Sequence, residues 1–334
     1  MKKTLTHRER LEDCLAGEVD DRPPVALWRH FPVDDQNPGT LAQAVLNFQR
    51  TYDFDFVKVT PSSSYCLMDW GVRDEWHGST EGTREYTRRI VLEPEDWARL
   101  PVLDPKKGNL AESLEALRLI TKAVGTDTPV IQTIFSPLSQ AKNLAGQETL
   151  LAHLRCYPDA LKIGLQTITR GIQAYLDEAL RTGIAGVFYA IQHAQYGLLS
   201  EGEYQEFGKV FDLPALEMSA RGWFNVLHLH GREVMYDSMA NYPVQVINWH
   251  DLETAPSLAN GLERFPGAVC GGLRQWDTMV LGTADEVRRE AYAALAATRG
   301  RRFILGTGCV VPITAPHGNI MAARQVYEVE TGSN

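Results

Sequence analysis

At 334 residues, with 44% apolar and 22% charged side chains, the chain has the profile of a folded globular protein, long enough for one large α/β domain or two smaller ones. A formal charge of −9 with no long basic run excludes nucleic acid as a partner, because phosphate binding needs concentrated positive charge. The opening "MKKTLTHRERLEDCLAGE" lacks the apolar stretch of a secretory leader, and no window approaches the roughly 18 to 20 apolar residues of a membrane span, so the expectation is a cytoplasmic protein without membrane contact.

In chain order, "PPVALWRHF" (23–31) reads as a first strand, followed by a helical "TLAQAVLNFQRTY" and a second strand, "FDFVKVTP" (54–61). Residues 62–128 are too many for one strand-to-helix connection. Their aromatic and charged composition suggests an insertion with a small hairpin, placed like a lid. The helical "LAESLEALRLITKAV" leads into a third strand, "PVIQTIF" (129–135). One long helical stretch from Glu148 to Gly183 precedes the fourth, "GIAGVFYAI" (183–191). Ser200 and Glu203 stand in capping-box register at the start of the next helix. Strands follow at 223–231, 244–251, 267–274 and 301–311, the last two separated by a helix with Thr283 as N-cap and Gly300 after its end.

The strand candidates are short, rich in Val, Ile and Phe, and apolar on both faces, as parallel strands covered on both sides must be. Eight of them alternating with helices predict a (β/α)8 TIM barrel, which needs about 250 residues, in a single domain over 1–334 with the 62–128 insertion over its C-terminal mouth. The other α/β possibility, a doubly wound sheet binding a dinucleotide, would require a GxGxxG after the first strand, and none is present.

In such a barrel, chemistry gathers at the C-terminal ends of the strands. Five of the nine histidines (His30, His193, His228, His230 and His250) fall at predicted strand ends, whereas the strand starts are mostly Pro, Gly or turn residues. In "WFNVLHLHG", alternation places His228 and His230 on one face. A lone strand histidine is more often a core residue bonded to a carbonyl, but two on one face with a thiol ending another strand favour a site. Two imidazoles and the Cys309 thiolate make a good zinc-ligand set with one position left open. Cys309 lies in "LGTGCVVP", where glycines permit close backbone approach, although a small buried thiol is often plain packing. The other four cysteines, Cys14, Cys66, Cys156 and Cys270, show no CxxC spacing and read as free thiols, with Cys156 and Cys270 as packing residues.

Asp251 and His250 stand where a fourth ligand or a ligand-orienting group would be, or where they would simply cap the next helix. Arg29 and Lys58 suit an anionic group of a substrate or, equally, the barrel rim. Gln132, Tyr189, Gln192, His193, Asn248, Trp249 and Arg274 are candidates for pocket walls with hydrogen-bonding tips, although such residues also serve as packing.

Taken together, "DRPPVALWRHF", "YDFDFVKVTP", "VLHLHG", "VINWHD", "GTADEVRREA" and "FILGTGCVVP" resemble the uroporphyrinogen decarboxylase superfamily over residues 5–325, in matching order. The resemblance implies a TIM barrel. Decarboxylases of that superfamily carry an arginine-rich "RQAGRY"-like loop, a central aspartate and a "GHG"-like motif. Here those places hold "LWRHFPVDD", Lys58 with Thr60, and "GTG" with Thr307. The similarity is greater to the cobalamin-linked methyltransferases of the methylcobalamin:coenzyme M type, which bind zinc through an H-x-C pair on the fifth strand and a cysteine on the eighth. His228 and Cys309 match two of those ligands, and His230 replaces the middle cysteine.

The resemblance therefore implies a zinc-dependent methyltransferase, a corrinoid supplied by a partner protein, a small-molecule substrate and a homodimer. His193 would polarise the leaving group, Arg29 would anchor substrate, and Asp251 would support the ligands. Two alternatives stay open: a decarboxylase or other lyase using Arg29 as anchor and a histidine as proton donor, and a non-catalytic ligand-binding barrel.

Overall fold

The computed structural model describes residues 5–19 and 21–328. Among the described residues there are nine strands: β1 Val57–Val59, β2 Arg73–Glu75, β3 Glu85–Arg88, β4 Val130–Phe135, β5 Gly186–Ile191, β6 Val226–Leu229, β7 Val246–Trp249, β8 Ala268–Leu273 and β9 Phe303–Thr307. Seven form one parallel sheet in the order β1-β4-β5-β6-β7-β8-β9, and β2 and β3 pair as a separate antiparallel hairpin. Every residue of those seven strands is buried, which accounts for their unbroken apolar character. Helices separate the strands, giving a curled α/β sheet of TIM-barrel-like form. No helix among the described residues is long and apolar enough to cross a membrane.

The first expected strand differs from the expectation. Only Val25 bridges to Leu305, although the segment bonds on both sides: Ala26 N–H donates to Leu305 O, Leu305 N–H to Pro24 O, and Asp55 N–H to Val25 O. Pro23 and Pro24 lack the N–H groups that a regular ladder needs, so the segment fills the gap between β9 and β1 without forming a strand.

The long helix also differs. It breaks into Gln147–Cys156 and Pro158–Leu180, because Pro158 has no N–H and pushes Tyr157 out of helical conformation (φ −135°, ψ 52°). A helix the sequence reading did not separate, Pro137–Ala145, is capped by Ser136. Cys156, expected to be packing, is exposed, while Cys14, Cys66 and Cys270 are buried thiols.

The Ser200 capping box and the Thr283 N-cap form as read, and Thr283 also closes a capping box with Glu286. Ser200 and Glu203 cap Glu201–Tyr204, and Thr283 and Glu286 cap Ala284–Thr298. The latter helix closes on Arg299 in left-handed conformation, one residue before Gly300. Thr283→Ala is expected to lower stability by about 1 kcal/mol, read from the denaturant midpoint at unchanged m-value.

Candidate metal centre at the strand ends

Register decides what faces the interior. Ala190, His228, Asn248, Cys270 and Ile304 are side-by-side partners across β5, β6, β7, β8 and β9, so they form one row on one face. At the end of this row His228, His230, His250 and Cys309 offer four ligand atoms that all lie within 4.8 Å of one another. The imidazole centroids are 5.8 Å apart for His228 and His230, and 5.6 Å apart for His230 and His250. Cys309 Sγ is 3.9 Å from His230 Nδ1. Gly308 makes this approach possible: a Cβ there would stand 2.6 Å from His250 Cα.

The tautomer of His228 follows from its neighbours. Asn248 Nδ2 donates to Cys270 O (2.9 Å) and Thr307 O (3.0 Å), so its Oδ1 must accept from His228 Nδ1–H at 2.7 Å. The His228 Nε2 lone pair is thereby free for a cation. His250 Nε2 is buried with no hydrogen-bond partner, which suits the same use.

Burial, with the neighbouring His230 and His250 adding to it, holds the His228 pKa well below the ordinary imidazole range. Burial, then His250 and Lys142, brings His230 down to about 4. The histidines are therefore neutral ligands at pH 7. Burial outweighs the lowering effects of the Val310 backbone hydrogen bond and the Lys58 charge and pushes the Cys309 thiol up to about 11, so a cation is what would make it a thiolate. The donor set fits a zinc-like ion. Asn248→Ala is expected to weaken metal retention about 10- to 100-fold in competition with a chelator, because the orienting bond to His228 is lost.

Other anticipated residues also face this region. Lys58 is buried on β1, hydrogen-bonded to Thr60 Oγ1 at 3.2 Å, and lies 4.4 Å from the Phe188 ring, which stacks on His228. Burial lowers its pKa to about 7, against an opposing pull from Cys309. His193 is buried, with Nε2 3.3 Å from Gln147 Oε1, and burial holds it at about 3. Gln192 presents a buried Oε1 with no partner.

The remaining candidates are not brought to the cluster. Tyr189 pairs across the sheet with Leu227, on the opposite face from His228, and its hydroxyl donates to buried Asp212 beside Tyr204 and Tyr242. Trp249, next to Asn248, likewise points outward and donates from Nε1 to Pro256 O. Gln132 donates to Tyr175 of the outer helix Pro158–Leu180. Arg274 pairs with Glu290 of Ala284–Thr298. Arg29 lies over Phe31 and Phe48. Asp251 turns to β8, accepting from Gly272 N–H at 3.1 Å, so it is not in the four-ligand group.

Glu81, Lys142 and Gln147 escaped the sequence reading, since none stands at a strand end. Glu81 lies in the loop of the β2–β3 hairpin and accepts from Gln275 Nε2 (3.0 Å) and Trp276 Nε1 (3.2 Å). In the same loop, Gly82, with φ +79°, lies so close to His30 that a Cβ would be 2.5 Å from its Cβ.

A curled parallel sheet with this cluster at its strand ends has a family counterpart: the chain belongs to the uroporphyrinogen decarboxylase (URO-D) family, whose model matches residues 6–328. Among its relatives is MtaA, a methylcobamide:CoM methyltransferase of Methanosarcina barkeri, 22% identical over 347 residues that cover 97% of this chain and 98% of the relative. Among solved structures it is similar to a methyltransferase from Methanosarcina mazei (TM-score 0.86, 19% identity, 97% of this chain and 99% of that one). A B12-independent methionine synthase from Shewanella sp. W3-18-1 shares the fold less closely (TM-score 0.57, 14% identity, covering 92% and 94%).

Proposed function

We propose that the chain is a zinc-dependent methyltransferase that moves a methyl group between a small substrate or thiol and a corrinoid carried by a partner protein. The carrying observation is the convergence of His228, His230, His250 and Cys309 from three different strand ends. The methylcobamide:CoM methyltransferase name of a relative aligned over nearly its whole length supports the direction of this reading. His228, His230 and Cys309 would hold the metal, with His250 in reach as a fourth ligand. Bound there, zinc would supply Lewis acidity that lowers the pKa of a thiol and keeps it nucleophilic at neutral pH.

The chain's own residues have separable tasks. Asn248 fixes the tautomer and plane of His228. His193, neutral at pH 7, keeps a buried Nδ1 with no hydrogen-bond partner and would polarise the leaving group. Residues 62–128 act as the covering insertion of a single barrel domain, tied across the mouth by Glu81 to Gln275 and Trp276. Exclusion of water by this cover strengthens the electrostatics beneath it.

Methyl transfer between methylcobalamin and small thiols, measured before and after chelator treatment, tests the reading. The expected result is a loss of about 100-fold or more on metal removal, with recovery on adding zinc. Turnover indifferent to chelation would overturn it. Loss of a carboxyl group from a substrate under those conditions would support the lyase reading instead.

A further inference from the structure

Away from the histidine cluster, at the other end of the parallel sheet, the start of β4 and the approaches to β5 and β6 border a cleft of about 640 Å3. That volume is in the range of small-molecule sites. Arg8, Arg118, Lys122, Arg181 and Arg221 line the cleft together with Trp223, and no Asp or Glu does. The five cations are scattered between positions 8 and 221, so no basic run marks them in the sequence. Folding alone assembles this charge, on a chain whose net charge is −9.

The carboxylates that pair with these groups lie outside the lining and are too few. Arg8 pairs with Glu12 and Arg118 with Glu115, whereas Arg181 and Arg221 share Asp177. Among the described residues the lysines in ion pairs are Lys106, Lys107 and Lys162, and Lys122 is not one of them. The four arginine side chains are 46% to 63% exposed. Ion pairs so well solvated contribute little, so each guanidinium can turn to a multivalent anion without much loss.

Cations also gather at helix C-termini, where the carbonyl dipoles end, and this accounts for Lys122 and Arg181 at the ends of Gly108–Val124 and Pro158–Leu180. It does not account for Arg8. That residue stands in the first turn of His7–Ala16, where the dipole opposes a positive charge, and its guanidinium lies 5.1 Å over the Trp223 ring in the cleft wall.

We propose that this cleft binds a small polyphosphate, whose charges the guanidinium forks and the Lys122 ammonium receive together. Walls of one sign raise the local concentration of such an anion before any contact forms. The site is separate from the metal centre and does not depend on the methyl-transfer reading.

Isothermal titration of the metal-loaded protein with sodium tripolyphosphate, and in parallel with orthophosphate, tests the proposal. Tripolyphosphate is expected to bind with a dissociation constant below about 100 μM at about 50 mM salt, at least about tenfold more tightly than orthophosphate. Screening should weaken it several-fold at about 300 mM salt. Lys122→Glu, and separately the double change Arg118→Ala with Arg221→Ala, are each expected to lower the affinity at least about tenfold. Bound metal and the unfolding midpoint should stay at their wild-type values in both, since all three positions are exposed. Lys122→Arg should bind within about twofold of the wild type. Affinity that survives both charge-removing variants would place the anion elsewhere, at the metal centre, and overturn the proposal. Absence of binding up to about 5 mM tripolyphosphate would overturn it as well.

Discussion

His228→Ala and Cys309→Ala are each expected to purify with less than about a tenth of the metal held by the wild type, which should carry about one equivalent. The ligand atoms come from β6, the end of β7 and the turn after β9, so removing one leaves three of the four that lie within 4.8 Å of one another. The two variants differ in what remains. Without Cys309 the set is three neutral imidazoles and the charge-neutralising thiolate is gone. Without His228 the thiolate survives, but Asn248 Oδ1 loses its donor and is left buried beside Cys270. His250→Ala should lose less metal than either if His250 is the displaceable ligand. Metal content by plasma emission spectroscopy, with unfolding midpoints as a control for folding, checks all three. Full metal in both His228→Ala and Cys309→Ala would remove the centre and with it the methyl-transfer reading.

How far the sequence reveals such a site depends on what each residue reports locally. The strands of the parallel sheet were legible because short β-branched runs alternate with capped helices, and the caps at Ser200 and Thr283 are set by three-residue spacings. His228, His230 and Cys309 were legible because HxH fixes a shared face and glycines flank the thiol. Facing was not legible elsewhere. A strand covered on both sides is apolar on both sides, so nothing in "GVFYAI" says that Tyr189 points to the helices while Phe188 points inward. Gln132 and Trp249 were opaque for the same reason. Gln147, Lys142 and Glu81 depend on where helices and the hairpin fold back over the sheet, which is set by packing between distant segments. Asp251 was misleading because adjacency to His250 places it on the other side of the chain, toward Gly272.

At the opposite end of the sheet, Asp55→Asn is expected to destabilise the protein by about 3 to 5 kcal/mol at pH 7, the cost of breaking a buried ion pair from one side. Asp55 is fully buried and accepts from Arg10 Nη1 (2.7 Å), Arg22 Nη1 (2.7 Å) and the Val25 N–H (2.7 Å). These bonds tie the first helix, His7–Ala16, and the proline-led segment to the start of β1, closing the gap where a regular ladder is missing. Removing the carboxylate charge leaves two guanidinium groups, at 7% and 10% side-chain exposure, short of a counter-charge, although Asp21 still holds Arg10.

The pH dependence has a definite sign. Burial by itself would raise the Asp55 pKa, but Arg22 and then Arg10 outweigh it and hold the group below the usual carboxylate value. A folded pKa below the unfolded one stabilises above the unfolded value of about 4, and that stabilisation is lost as pH falls through the folded value. The gap between wild type and Asp55→Asn in chemical denaturation should therefore be full at pH 7 and shrink steadily on acidification below about pH 4. A gap independent of pH would mean that the carboxylate acts there as a hydrogen-bond acceptor alone and not as the charge that balances the two arginines.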